Sequence, residues 1–407
     1  MARVPGRLKK HLVFPTYELH PFNPGGAGVF LSGGVRLLAR AGHHVTLLCD
    51  FAAGEIEAAR RAFSLEPFGD GSVEIVSLAE VDGRPAPQGS IYTFNSSRFA
   101  AGLASLNERR AIDFVEFPEY AGLGVSTLRQ HQRGFLPDAI VAVRLHGSLE
   151  FIDQVEGIVP DAERRMMWGL EREGMELADV LLTPSRALGG LYRRKYGLDR
   201  QRFVESPPPM EELLLGFEPR PRLPDPAHFL FFGKLQEVKG CVEFAEATVS
   251  LLVREPERGW HATFIGRDTW CGRHGCMTSA CLGRVIPGPL RENFSFIPSI
   301  DRLDLAKYLR RVVAAVVPSH FETFCLAAHE LRSLGLPIIV PRHPAFEDWL
   351  TEKTGCLTYD GTANGLANAM AKVRDDAELR LSLDQAPRPQ YPAFTEAYAR
   401  VLGSAEG

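Results

Sequence analysis

The sequence has no apolar run near the roughly 20 residues needed to cross a bilayer. A stretch such as Val312 to Val317 is far shorter, which excludes a spanning helix. Charge of one sign is equally scarce. Lys and Arg total 46 against 50 Asp and Glu, a formal net charge of −4, so the dominant positive field of a general nucleic-acid binder is missing. Cysteine is sparse and odd in number, seven in 407 residues. Cys49, Cys241, Cys325 and Cys356 lie inside apolar segments, unlike a disulfide framework, and read as reduced thiols of a cytoplasmic protein. The apolar run after the basic start MARVPGRLKK is interrupted by Pro15 and is too brief for a secretory leader, so it reads as a first strand.

What is present is a globular composition, 45% apolar and 24% charged, with length enough for two domains. Short β-branched runs alternate with amphipathic stretches throughout, which implies βα units on parallel sheets, an α/β fold. The expected strands are 11–16, 45–49, 73–77, 112–117, 140–146 and 180–183, then 229–233, 261–265, 294–297, 312–317 and 337–340. Between the two sets, SPPPMEELLLGFEPRPRLPDPA from Ser206 carries seven prolines, which remove backbone donors and interrupt either element. The boundaries follow: a first domain over 1–206, a proline-rich linker over 207–227, a second domain over 228–385, and a final segment, 386–407, returning as a helix to the first domain.

Three loops at strand carboxyl ends, where open α/β sheets bind ligands, carry candidate chemistry. Pro24-Gly25-Gly26-Ala27-Gly28 opens the helix expected over 26–41, and its glycines allow amides to approach an anion closely. The spacing does not fit G-x-G-x-x-G, although Asp50 ends the next strand as a ribose-binding acid would in a dinucleotide fold. Lys234 and Lys239 lie in F-G-K-L-Q-E-V-K-G; the chain has only eight lysines, and two in one ligand-facing loop suit a diphosphate. Glu322 and Glu330 lie in P-S-H-F-E-T-F-C-L-A-A-H-E, with a helix expected over 323–334. Each feature also has an ordinary structural reading, as solvated lysines or surface carboxylates. A further cluster, Cys271, His274, Cys276 and Cys281, groups soft ligands within W-C-G-R-H-G-C-M-T-S-A-C-L. It lacks a Cys-x-x-Cys knuckle and is read as a loop without metal, with structural zinc the alternative.

The colinear set resembles the retaining glycosyltransferases of the GT-B fold, family 4, over nearly the whole chain. Supporting segments include A-G-H-H-V-T-L-L at Ala41, F-V-E-F-P-E-Y-A-G-L at Phe114, V-R-L-H-G-S at Val143, A-D-V-L-L-T-P-S at Ala178 and I-G-R-D-T at Ile265. The resemblance implies two Rossmann-like domains and a nucleoside diphosphate sugar donor, a uridine diphosphate sugar being the commonest. It places Gly25, Gly26, Lys234 and Lys239 at the diphosphate, and Glu322 at the sugar hydroxyls. Glu330 falls at the ribose, and the amides of Thr323, Phe324 and Cys325 along sugar and phosphate. Cys325 stands where glycine is common, and Lys234 where arginine is usual.

His146 matches the family histidine near the reacting centre, although alone it reads as a core histidine. Glu119, Tyr120 and Glu150 are the candidates for contacting a hydroxyl-bearing acceptor. No Asp-x-Asp is present to hold a divalent ion on a diphosphate, so no cofactor is expected. Arg129, Arg133, Arg193, Arg194 and Lys195 are basic enough for a peripheral membrane contact, though solvated helix faces explain them equally. The alternatives are a nucleotide-sugar epimerase or an inactive sugar-nucleotide-binding scaffold on the same fold.

Overall fold

The computed structural model describes residues 9–22, 26–81, 91–219, 221–271 and 273–403. The first sheet has seven parallel strands: β1 His11–Thr16, β2 His44–Cys49, β3 Ser72–Ser77, β4 Phe114–Pro118, β5 Ile140–Arg144, β6 Val180–Thr183 and β7 Phe203–Glu205. Their order is β3-β2-β1-β4-β5-β6-β7. The second half begins with β8 His228–Phe232 and β9 His261–Ile265, followed by a small hairpin, β10 Trp270–Cys271 and β11 Cys276–Met277. It continues with β12 Phe294–Ile297, β13 Ala314–Val316, β14 Ile338–Pro341 and β15 Cys356–Tyr359. The second sheet runs β12-β9-β8-β13-β14-β15. Strand order reverses beside β1 and β8, so the loops after β1, β4, β8 and β13 leave the switch points where doubly wound sheets hold ligands. Both sheets are thus parallel and doubly wound, the α/β class expected from the alternation along the chain.

The chain divides into two compact units, Met1–Glu150 with Pro160–Leu213 and Tyr391–Gly407, and Phe151–Val159 with Leu214–Gln390. The proline-rich segment is therefore shared, not a free linker. Its helix Met210–Leu213 belongs to the first unit, where Leu213 and Pro209 lie 3.0 and 3.1 Å from where a Cβ at Gly33 would stand. Leu223 and Asp225 donate backbone bonds to Arg310 and Arg311 of the second unit, each at 2.8 Å.

The helix Gly26–Arg40 packs through Gly33 and Gly34. A Cβ at Gly34 would meet the Phe394 ring at 2.9 Å. That ring opens the helix Phe394–Gly403, which adds Phe394, Tyr398 and Val401 to the first unit's core. Tyr398 also completes a buried polar knot. Arg144 on β5 donates to Glu116 on β4 at 2.5 Å and to Tyr398 Oη at 3.1 Å, while Tyr398 donates to Glu116 at 2.7 Å. A buried charge is tolerated when paired and hydrogen-bonded in this way.

Candidate functional site

In the second unit, the loops after β8 and β13 are pressed together. Gly240, at φ 72°, sits where a Cβ would fall 2.1 Å from the Pro318 carbonyl oxygen, and the His320 amide donates to the Val238 carbonyl at 2.9 Å. This juxtaposition brings Lys239 to Glu322 across 83 residues of sequence, Nζ to Oε1 2.8 Å. Ser319 Oγ donates to the same oxygen at 2.9 Å. Glu322 is buried. Burial alone lowers the Lys239 ammonium pKa, but the Glu322 carboxylate holds it above the ordinary lysine value. Lys234 is exposed at the turn after β8.

The helix expected over 323–334 is shorter, Leu326–Ser333. Cys325 precedes it with φ 67°, a left-handed conformation, so Thr323 and Phe324 lie in the loop rather than in the first turn. Phe324 turns inward, stacked on His329 at 4.0 Å between ring centroids. Only its backbone is left to meet a ligand. Glu330 is buried on the helix, and Arg302 donates to its Oε1 from Nε at 2.9 Å and from Nη2. Desolvation raises the Glu330 carboxyl above its ordinary pKa, with Arg302 pulling the other way. Arg302 was not among the sequence candidates. Its only signal was an arginine in the loop after a second-unit strand.

In the first unit, Gly25 lies outside the described residues, and Gly26 is exposed at the start of its helix. The amide of Gly28 donates to Glu18 Oε2 at 3.2 Å, so a carboxylate already lies near that helix start. Asp50 pairs with Arg98 at 3.0 Å. His146 follows β5, its ring edge-on to Phe30 at 5.5 Å and tilted to Tyr120 at 6.3 Å. Together with Thr16, Pro118 and Glu116 these residues line a small recess. Burial, helped by Arg144, pushes the His146 imidazole down to about 3.

Glu119 does not face outward as an acceptor contact would. It is buried and accepts from the His146 amide at 2.7 Å and from Tyr192 Oη at 3.3 Å, with the Gly147 amide also bonded. Burial pushes its carboxyl up to about 7 against those donors. It sets the loop that carries His146. Glu150 pairs with Lys195 at 3.1 Å, and Arg129 with Glu173 at 2.7 Å, so part of the basic surface is neutralised locally.

Cys271, His274 and Cys281 bring their ligating atoms within 4.8 Å of one another. Cys276 Sγ lies 3.4 Å from Cys281 Sγ.

Comparison with known proteins bears on both halves. A family profile described as Glycosyltransferase Family 4 matches residues 24–210, and one described as Glycosyl transferases group 1 matches residues 226–376. A D-inositol 3-phosphate glycosyltransferase of Kineococcus radiotolerans is 28% identical over 249 residues, 56% of each chain. The chain thus spans about half the length of the curated relatives it matches. Among solved structures, sucrose-phosphate synthase from Thermosynechococcus elongatus superposes with a TM-score of 0.67 at 17% identity, covering 98% of both chains. Anabaena HepE in complex with UDP and glucose does so at 0.60 and 14%, covering 97% of both. These likenesses show the GT-B fold.

Proposed function

We propose that this chain is a retaining glycosyltransferase that moves a sugar from a nucleoside diphosphate sugar to an acceptor hydroxyl. The observation that carries the reading is the Lys239–Glu322 pair at the switch point of the second sheet, with Glu330 on the helix that follows. Lys239 and Lys234 neutralise the diphosphate, and the amides leading into the helix Leu326–Ser333 add donors and a positive dipole end. Glu322, on donor binding, exchanges its lysine contact for sugar hydroxyls. Glu330, oriented by Arg302, receives the ribose hydroxyls. A uridine diphosphate sugar is the first donor to try, given the UDP held by the HepE structure.

In this reading the bond from the anomeric carbon to the phosphate oxygen breaks as the acceptor oxygen attacks from the same face. The acceptor proton passes to the departing phosphate oxygen, while the lysines and helix amides stabilise the charge left on the diphosphate. His146 stays neutral well below pH 6, since its pKa lies near 3. It acts as a hydrogen-bonding group for the sugar, not as an acid. Glu119 positions it by holding the loop backbone. The match of both halves to glycosyltransferase family profiles supports the reading.

The test is proton NMR of the product from a UDP-sugar and a panel of hydroxylic acceptors, with no Mg²⁺ or Mn²⁺ added. Retained anomeric configuration is expected, with activity in Lys239→Ala reduced roughly 10²–10³-fold. An inverted product contradicts the mechanism. Donor epimerised without acceptor points to an isomerase instead.

A further inference from the structure

The hairpin after β9 poses a physical problem. Its strands are two residues each, paired Trp270 with Met277 and Cys271 with Cys276, and so short a ribbon has little stability of its own. Its apolar side chains face the wrong way to help. Trp270 is 62% and Met277 40% exposed, whereas Cys271 is 5% exposed. The inward side of the hairpin is lined by sulfur.

A third cysteine, Cys281, is 6% exposed one turn into the helix Thr278–Val285. The start of that helix is anchored to the same loop. Thr278 donates its amide to the Thr269 carbonyl at 2.9 Å, and Ser279 to Asp268 at 3.0 Å. His274, in the turn between the strands, completes the set. All three cysteines are free thiols. Cys271, His274 and Cys281 hold their ligating atoms within 4.8 Å of one another, and Cys276 Sγ, outside that group and half-buried, lies 3.4 Å from Cys281 Sγ; closing around a tetrahedral zinc with Zn–S near 2.3 Å would bring the four to separations of ~3.5–3.8 Å.

We propose that Cys271, His274, Cys276 and Cys281 form a closed structural zinc site that staples this hairpin to its helix. Three soft sulfurs and one imidazole suit zinc over the hard cations. Binding releases three thiol protons, including the one that Cys271 shares with Glu237 Oε2 at 3.3 Å. Glu237 keeps its bond from Arg273 at 3.0 Å. Three thiolates and Zn²⁺ leave a single negative charge, beside which Arg273 is placed.

The staple also bears on the loop that carries Lys239. Thr269 Oγ1 donates to the Leu235 carbonyl at 2.5 Å, and Glu237 shares a single turn, Glu237–Lys239, with that lysine. The metal therefore braces the lysine loop from a site of its own, and the proposal does not depend on the glycosyl-transfer reading.

The experiment is elemental analysis of the full chain, purified without a metal-binding tag or chelator. It is paired with zinc release by a mercurial titrant, in wild type, Cys276→Ser, Cys281→Ser and the control Cys356→Ser. About one zinc per chain is expected, lost in the first two variants and kept in the control. Should the serine variants fail to fold, wild-type protein produced with Co²⁺ decides: thiolate-to-cobalt charge-transfer bands with a tetrahedral pattern support the site. Protein free of transition metal, with these thiols titratable or with Cys276 and Cys281 joined as a disulfide, overturns it.

Discussion

Cys325 is strained by its own backbone. A side chain at φ 67° costs about 1–2 kcal/mol in the left-handed region, a penalty glycine escapes, although glycine adds about 0.5–1 kcal/mol of chain entropy. Cys325→Gly should therefore hold or raise Tm, while β-branched Cys325→Val lowers it. A Val variant as stable as the Gly variant would contradict this account. His329, on the same helix, makes a second residue-scale prediction. Burial pushes its pKa down to about 3, so in the fold it stays neutral while the unfolded chain takes up a proton near 6.5. The unfolded state then binds more protons, and the contribution of His329 to stability is lost as pH falls below about 6.5. Relative to His329→Gln, wild type should lose urea midpoint between pH 7.5 and pH 5. An unchanged difference would show that His329 is accessible and titrates normally.

The loop between β8 and the helix Cys241–Arg254 depends on one glycine. Gly240→Ala places a methyl 2.1 Å from the Pro318 carbonyl in a left-handed backbone. It should cost at least ~1–3 kcal/mol and separate Lys239 from Glu322, abolishing donor binding. Gly42→Ala, at φ 97° with nothing within 4 Å, is the comparison that isolates backbone strain. Denaturant unfolding with equal losses for both would remove the close approach from the account. The same region marks what could be read from sequence. The apolar strands β1, β2, β8 and β9 were legible from their β-branched and aromatic runs. The helix start at Leu326 rather than Thr323 was not, because a left-handed turn is ordinarily signalled by glycine and here is made by cysteine. β7 and β15 were absent from the expected strands as well. Each carries a single β-branched residue, Val204 in Phe203–Glu205 and Thr358 in Cys356–Tyr359.

At the scale of the whole molecule, two doubly wound sheets follow from alternation along the chain, and the loops singled out by residue type fall at their switch points. Their partners did not follow. The Lys239–Glu322 and Arg302–Glu330 pairs join residues 83 and 28 positions apart, and Glu119 was misread because nothing local shows that a glutamate will be spent on backbone amides of the next strand's loop. The division of the proline-rich segment at Leu213 was equally hidden, since it depends on Gly33 making room. In the proposed function the second unit holds a nucleoside diphosphate through Lys239 and Glu330. Titration calorimetry of the full chain with UDP, GDP, dTDP and NAD measures it most directly, run in parallel on Lys239→Ala and Glu330→Gln. One diphosphate should bind, with affinity at least ~10-fold lower in each variant, about 1.4 kcal/mol. Binding of NAD with no diphosphate bound, or a diphosphate bound equally by all three proteins, would contradict it.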